Sequence, residues 1–324
     1  MSPDDFANFA IAFKSILFEG APFILLGTLL SGFLGVYLPA GAMEKLLPKN
    51  KFAAIFVSGL LGLLLPVCEC AVVPVIRRLV AKGLPVSCAF AYMLAAPIVN
   101  PITILSTWNA FPDLELWPQR SEFFTFSRVF LGYLAAILVG LAVLRLPLQS
   151  ILKSRVLAQN EASSGHHHHH EHDHHHHEGG QNRVVLAMRA ALKDFTDVGV
   201  YFTIGVIITA LFNVGIAPGA EWLESMEGSP FGQTAAFMVL AFLLSLCSTS
   251  DAFIAATLAA DAPRTAARLG FLVFGPMMDV KLLFLYSTIM KPRFILWLAL
   301  ALFLFVGLAA VGWSALFEPD LLMP

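Results

Sequence analysis

The sequence predicts an all-α polytopic membrane protein built from two inverted-topology repeats. Each repeat has about three full transmembrane helices plus a broken or re-entrant helical hairpin. Three observations predict it. The first is composition: of 324 residues 58% are hydrophobic and 13% charged, with a mean hydropathy of +0.77, an apolar load that a soluble domain could not solvate. The second is a repeat at a constant offset of 179 residues, which carries Gly20 onto Gly199, Phe23 onto Phe202, Cys68 onto Cys247, Pro97 onto Pro276 and Asn100 onto Asp279 without a gap. The third is that these pairs include the scarce polar and helix-breaking residues of mid-span segments. Duplicated membrane units with interrupted helices are the architecture of transporters.

The elements follow in order. About 20 apolar residues cross a bilayer, and Phe9–Leu38, Pro85–Trp108, Phe126–Leu146, Phe195–Val214, Thr265–Met290 and Phe294–Leu316 are each long enough. Phe52–Val67 runs into Cys68-Glu69-Cys70 and resumes at Ala71. Its repeat partner Phe231–Leu246 runs into Cys247-Ser248-Thr249-Ser250-Asp251 and resumes at Ala252. Each pair reads either as one broken crossing or as a hairpin with a polar tip at mid-membrane. Lys45, Lys49 and Lys51 before the first pair and Arg77, Arg78 and Lys82 after it favour a hairpin that enters and leaves on the cytoplasmic face.

On that orientation Asp113–Glu122 is outside and Arg145, Lys153 and Arg155 are inside. Arg183, Arg189 and Lys193 open the second half inside, Glu221, Glu224 and Glu227 lie outside, and Lys291 and Arg293 return inside. An odd number of crossings in each half inverts the second against the first. Arg264 and Arg268 fit poorly, because this order puts them outside. Residues 1–148 form the first transmembrane repeat, 149–184 a cytoplasmic His-rich linker and 185–324 the second repeat. The first nine residues hold Asp4 and Asp5 and no basic residue, unlike the start of a secretory signal. A bacterial-type inner (plasma) membrane is the expected location.

The linker holds every histidine of the chain: His166, His167, His168, His169, His170, His172, His174, His175, His176 and His177, interrupted by Glu171 and Asp173. It cannot pack a core. Imidazoles suit Zn or Cu, so the run is an accessory collector of ions. No other cofactor is expected, and the net charge of −2 indicates no nucleic-acid partner.

The candidate substrate site is drawn from the interrupted segments. Cys68 and Cys70 are thiols one residue apart, flanked by the helix-breakers Pro66 and Pro74, and soft thiolates suit Cu(I), Zn and thiophilic metalloids. Glu69 between them is an intramembrane acid, a type that is rare and usually functional. Across the repeat stand Cys247, Ser250 and Asp251. Cys88 has no such neighbours and reads as a packing residue. A second constellation is Pro97, Asn100 and Pro101 in the first half, and Pro276 and Asp279 in the second. Prolines there unwind the span and free backbone groups, Asn100 offers a donor and an acceptor, and Asp279 takes a cation or a proton. Lys281 either neutralises Asp279 or snorkels to the surface. Glu69, Asp251 and Asp279 are the proton-coupling candidates.

The runs Leu65-Pro66-Val67-Cys68-Glu69-Cys70, Val73-Pro74-Val75-Ile76-Arg77-Arg78, Lys82-Gly83-Leu84-Pro85 and Ala95-Ala96-Pro97-Ile98-Val99-Asn100-Pro101 resemble the predicted-permease family of YraQ type, related to the ArsP-type organoarsenical efflux permeases. Cys247 to Ala255 is similar to that family's second block. The resemblance spans roughly Phe18–Leu105 and Gly199–Ile289. It implies an inner-membrane permease without an ATPase, not an enzyme, that exports trivalent organoarsenicals or a similar thiophilic solute. Cysteines that meet the arsenic would be Cys68 and Cys70, with Cys247 of the second block as a further candidate. Two other readings stay open. A divalent metal (Zn or Cu) exporter would use the thiols, a carboxylate and the linker. A membrane thiol-disulfide oxidoreductase would pair Cys68 or Cys70 with Cys247. The expected partners are the lipid bilayer, the solute or metal ion, and protons.

Overall fold

The computed structural model describes residues 3–39, 41–111, 121–153, 183–216, 229–257 and 265–317. In chain order its helices are α1 (Pro3–Tyr37), α2 (Ala42–Leu46), α3 (Lys51–Leu64), α4 (Val72–Ala81), α5 (Val86–Ala95), α6 (Pro101–Ala110), α7 (Ser121–Arg145), α8 (Leu148–Ile151), α9 (Arg183–Ile216), α10 (Pro230–Leu244), α11 (Asp251–Thr257), α12 (Thr265–Phe274), α13 (Val280–Ser287) and α14 (Pro292–Phe317). Among the described residues four stretches are long and apolar enough to cross a membrane: Phe6–Tyr37, Ser121–Arg145, Arg183–Phe212 and Pro292–Phe317. Their surfaces are built for lipid. On α14 Leu296, Leu300, Leu304 and Leu308 form an exposed stripe, while Leu298, Leu302, Val306 and Ala310 on the other face are buried. The spacing of four is the helical repeat.

Two spans that read as single crossings are broken. Pro85–Trp108 divides into α5 and α6, and Thr265–Met290 into α12 and α13. Each half therefore has two unbroken long helices, not three. The cause is local. Pro97 follows α5 by two residues, and α6 starts afresh at Pro101, where a missing N–H costs nothing, under an Asn100 cap that accepts the Ile102 amide at 3.0 Å. In the second half Asp279 caps α13 by accepting the Leu282 amide at 2.7 Å. A helix of 10 residues, such as α5, rises only about 15 Å, so these pieces end inside the bilayer thickness and their ends must be satisfied by protein.

The hairpin segments end in different ways. α3 stops before Pro66. α10 has no proline at the matching place. Instead Ser245 takes a left-handed conformation (φ 48°), and its hydroxyl accepts the Val280 amide at 3.1 Å. The later helices pair in register: Val72 and Asp251, Val86 and Thr265, and Pro101 and Val280 open α4/α11, α5/α12 and α6/α13 at the offset of 179.

α1 packs along α9 through small residues. A Cβ on Gly32 would run into the Ala187 carbonyl and sit 3.0 Å from the Ala191 Cβ. Close backbone approach at small residues is the usual basis of helix association in lipid. Near one end of the pair, Arg78 of α4 bonds Asp194 of α9 at 3.1 Å, and the Ser31 hydroxyl donates to the same carboxylate at 2.8 Å. Gly32→Ala is expected to cost about 1–3 kcal/mol by forcing the helices apart. Thermal unfolding in detergent checks it, with Gly312→Ala, which meets nothing within 4 Å, as the neutral control.

Arg268, the misfit of the charge pattern, is a buried member of α12, with its guanidinium 6.0 Å from the Phe124 ring centroid. It is not a loop charge, so it carries no weight in orientation. Arg264 and the acidic loop residues Glu221, Glu224 and Glu227 lie outside the described residues, as do the ten linker histidines. The start of the linker is described and is docked: Leu152 bridges Met290, and the Lys153 amide donates to Ile289.

Candidate functional site

The two interrupted segments bring their polar tips together. The Ser248 hydroxyl donates to Glu69 Oε2 at 3.1 Å, across a sequence separation of 179. The residues in contact are therefore each other's repeat equivalents. Glu69 is fully buried, its Oε1 has no hydrogen-bond partner, and no ion pair reaches it among the described residues.

A small cavity of about 10 Å³ adjoins it, lined by Ile16, Glu19, Gly20, Phe23, Cys68, Glu69, Cys70, Cys247 and Lys281. Three thiols from the two tips thus share one chamber with Glu69. All four cysteines of the chain are free. Cys247 accepts a weak bond from the Thr249 hydroxyl at 3.6 Å. Cys88 lies elsewhere, buried in α5.

The other candidates stand outside that lining. Asp251 opens α11 and is held in a buried ion pair: Arg128 Nη2 donates to its Oδ2 at 2.7 Å, with side-chain exposures of 1% and 4%. Arg128 also donates to the Ser248 carbonyl at 3.0 Å and to the Thr107 hydroxyl at 2.7 Å. With Ser106 donating to the Thr249 carbonyl and Thr103 to the Ser248 hydroxyl at 3.4 Å, the second tip is clamped onto α6 and α7 of the first half. Ser250 donates to Glu19 Oε1 at 2.6 Å. Asp279 lies 3.6 Å from Lys281 Nζ, so Lys281 neutralises it and does not snorkel.

Asn100 and Asp279 do the same local work as caps of α6 and α13. Pro66, Pro97 and Pro276 sit in breaks. Pro74 and Pro101 instead lie in the first turns of α4 and α6, where proline is accommodated, so they begin helices and do not interrupt them. Among the described residues no group of three or more His, Cys, Asp or Glu side chains is arranged to hold a metal ion.

Two site residues escape the sequence reading. Glu19 looks like one acid in a long apolar span, and Arg128 looks like a charge near the start of another. The signal was present: an ionised side chain well inside an apolar span needs a partner in the protein. What a single sequence withholds is which partner.

A sequence profile of the predicted permease family of ArsP type matches residues 5–313. The chain belongs to this predicted permease family. It is thus a multi-pass membrane permease, whose partners are the bilayer and a transported solute. Two relatives agree over most of their length. A Streptococcus mutans protein, named as a subunit of a two-component membrane permease complex, is 34% identical over 88% of this chain and 87% of its own. The UPF0718 protein YcgR of Bacillus subtilis is 35% identical over 87% of this chain and 89% of its own. No solved structure matches the permease.

Proposed function

We propose that this permease is a secondary transporter for a thiophilic solute of the trivalent organoarsenical type, exported across the inner membrane through a site between the two hairpin tips. The observation that carries the reading is the meeting of Glu69 and Ser248 at repeat-equivalent positions, beside a chamber lined by Cys68, Cys70 and Cys247. On this reading the halves are inverted copies that rock about that meeting point. Soft sulfur ligands from both halves would hold the solute at the centre.

Of the three acids, Asp251 and Asp279 each face a cation, Arg128 and Lys281. Glu69 has no ion-pair partner among the described residues and has a free oxygen, so we assign the coupling proton to Glu69. The histidine run is an accessory that gathers ions at the cytoplasmic face.

Transport into everted membrane vesicles tests this, with trivalent methylarsenite and Zn offered in parallel. Methylarsenite uptake is expected, falling about tenfold or more in Cys68→Ser/Cys70→Ser. Zn uptake alone would replace the arsenical by a divalent metal. Uptake of neither, with a Cys68–Cys247 or Cys70–Cys247 disulfide in purified protein, would replace transport by thiol redox chemistry.

A further inference from the structure

The two halves differ at one pair of repeat-equivalent contacts. Gly20 and Phe23 of α1 recur as Gly199 and Phe202 of α9. A two-fold relation turns a contact between Phe202 and Gly20 into a matching contact between Phe23 and Gly199. The first exists and the second does not. Phe202 is buried, and its ring lies so close over Gly20 that a methyl group there would collide with it. At Gly199 a Cβ would meet nothing within 4 Å. The space is a cavity of about 520 Å³ between α1 and α9, lined among others by Leu17, Ala21, Ile24, Phe195 and Gly199. Phe23 is only half-buried and lines the tip chamber instead.

The same asymmetry recurs farther along the helices. Gly205 of α9 is pressed against the head of α13, where a Cβ would sit 2.9 Å from Lys281 Cα. The equivalents Leu26 and Ile102 are apolar and more than half exposed, at 59% and 54%. α9 is therefore closed onto its partner while α1 is not.

We propose that the hollow at Gly199 is the docking site of Phe23 in a second conformation, so that Gly20–Phe202 and Gly199–Phe23 are two latches used in turn. The inference rests on the inverted-repeat reading above. Each latch buries one phenyl ring on one glycine, so the two conformations have similar energies, as a reversible exchange requires. When Phe23 swings to Gly199 it leaves the tip chamber, and Cys68 and Glu69 lose their cover. Closing one latch thus opens the site.

The test is cross-linking in membrane vesicles with a short bismaleimide, using the full chain with its four native cysteines replaced by serine. One variant carries Gly20→Cys/Phe202→Cys and the other Phe23→Cys/Gly199→Cys. Both pairs are expected to cross-link. Adding Gly20→Ala, which displaces Phe202, should raise the Phe23/Gly199 yield about twofold or more. The Gly20/Phe202 pair doubles as the control for correct folding. If it cross-links while the Phe23/Gly199 pair stays silent, the asymmetry is fixed and the proposal is overturned. If neither pair cross-links, the first latch does not exist and the proposal is equally overturned. The readout needs no solute. Methylarsenite transport is scored separately, on the parent chain with its native cysteines: latch exchange without parental transport loses only the transport reading, and parental transport with the second pair silent loses only the latches.

Discussion

Arg128→Met is expected to cost about 3–5 kcal/mol of stability, because it strands the Asp251 carboxylate in the interior without its ion-pair partner. The loss reaches beyond the pair. Arg128 also holds the Ser248 carbonyl and the Thr107 hydroxyl, so its removal loosens the second tip from α6 and α7. Thermal unfolding in detergent reads the single change. The double variant Arg128→Met/Asp251→Leu should recover most of the loss, since replacing both members of a buried pair by apolar groups is often nearly neutral. A single variant within about 1 kcal/mol of the parent would mean that the pair is solvated and that the clamp is not structural.

Glu69→Gln should do the reverse: leave the fold intact and stop the machine. The amide keeps an oxygen to accept the Ser248 hydroxyl, and it removes a buried charge that has no ion-pair partner among the described residues, so stability should hold or rise. What the amide cannot do is take up and release a proton. Solute flux in vesicles is expected to fall about tenfold or more, and solute-driven acidification, followed with an internal pH dye, should vanish. Wild-type flux with wild-type proton movement in this variant would remove Glu69 from the coupling step and return attention to Asp251.

Much of the frame was legible in the sequence, for identifiable reasons. The offset of 179 marks Gly20, Cys68, Pro97 and their equivalents, and the structure opens paired helices at that spacing. The tips were legible because Cys68-Glu69-Cys70 interrupts an apolar run. The break within Pro85–Trp108 was harder to read. Hydropathy sees a continuous apolar stretch, whereas the backbone sees Pro97 and a fresh start at Asn100-Pro101, which is a cap signature. For Arg128 and Glu19 the need for a partner was legible, but which partner was not. Their partners, Asp251 and Ser250, lie 123 and 231 residues away, and nothing local distinguishes an arginine that will be clamped inside from one that will reach the surface.

The bond between Glu69 and Ser248 has a consequence for how such a molecule could arise. On the inverted-repeat reading proposed above, two identical chains would set position 69 against itself. Two carboxylates about 3 Å apart cannot both ionise, and two hydroxyls would carry no charge at the centre. An acid facing a hydroxyl is reachable only when the two copies are inherited separately, whether as two genes or fused into one. On that reading, duplication supplied a licence to differ at this residue, and a carboxyl facing a hydroxyl is what that difference made available.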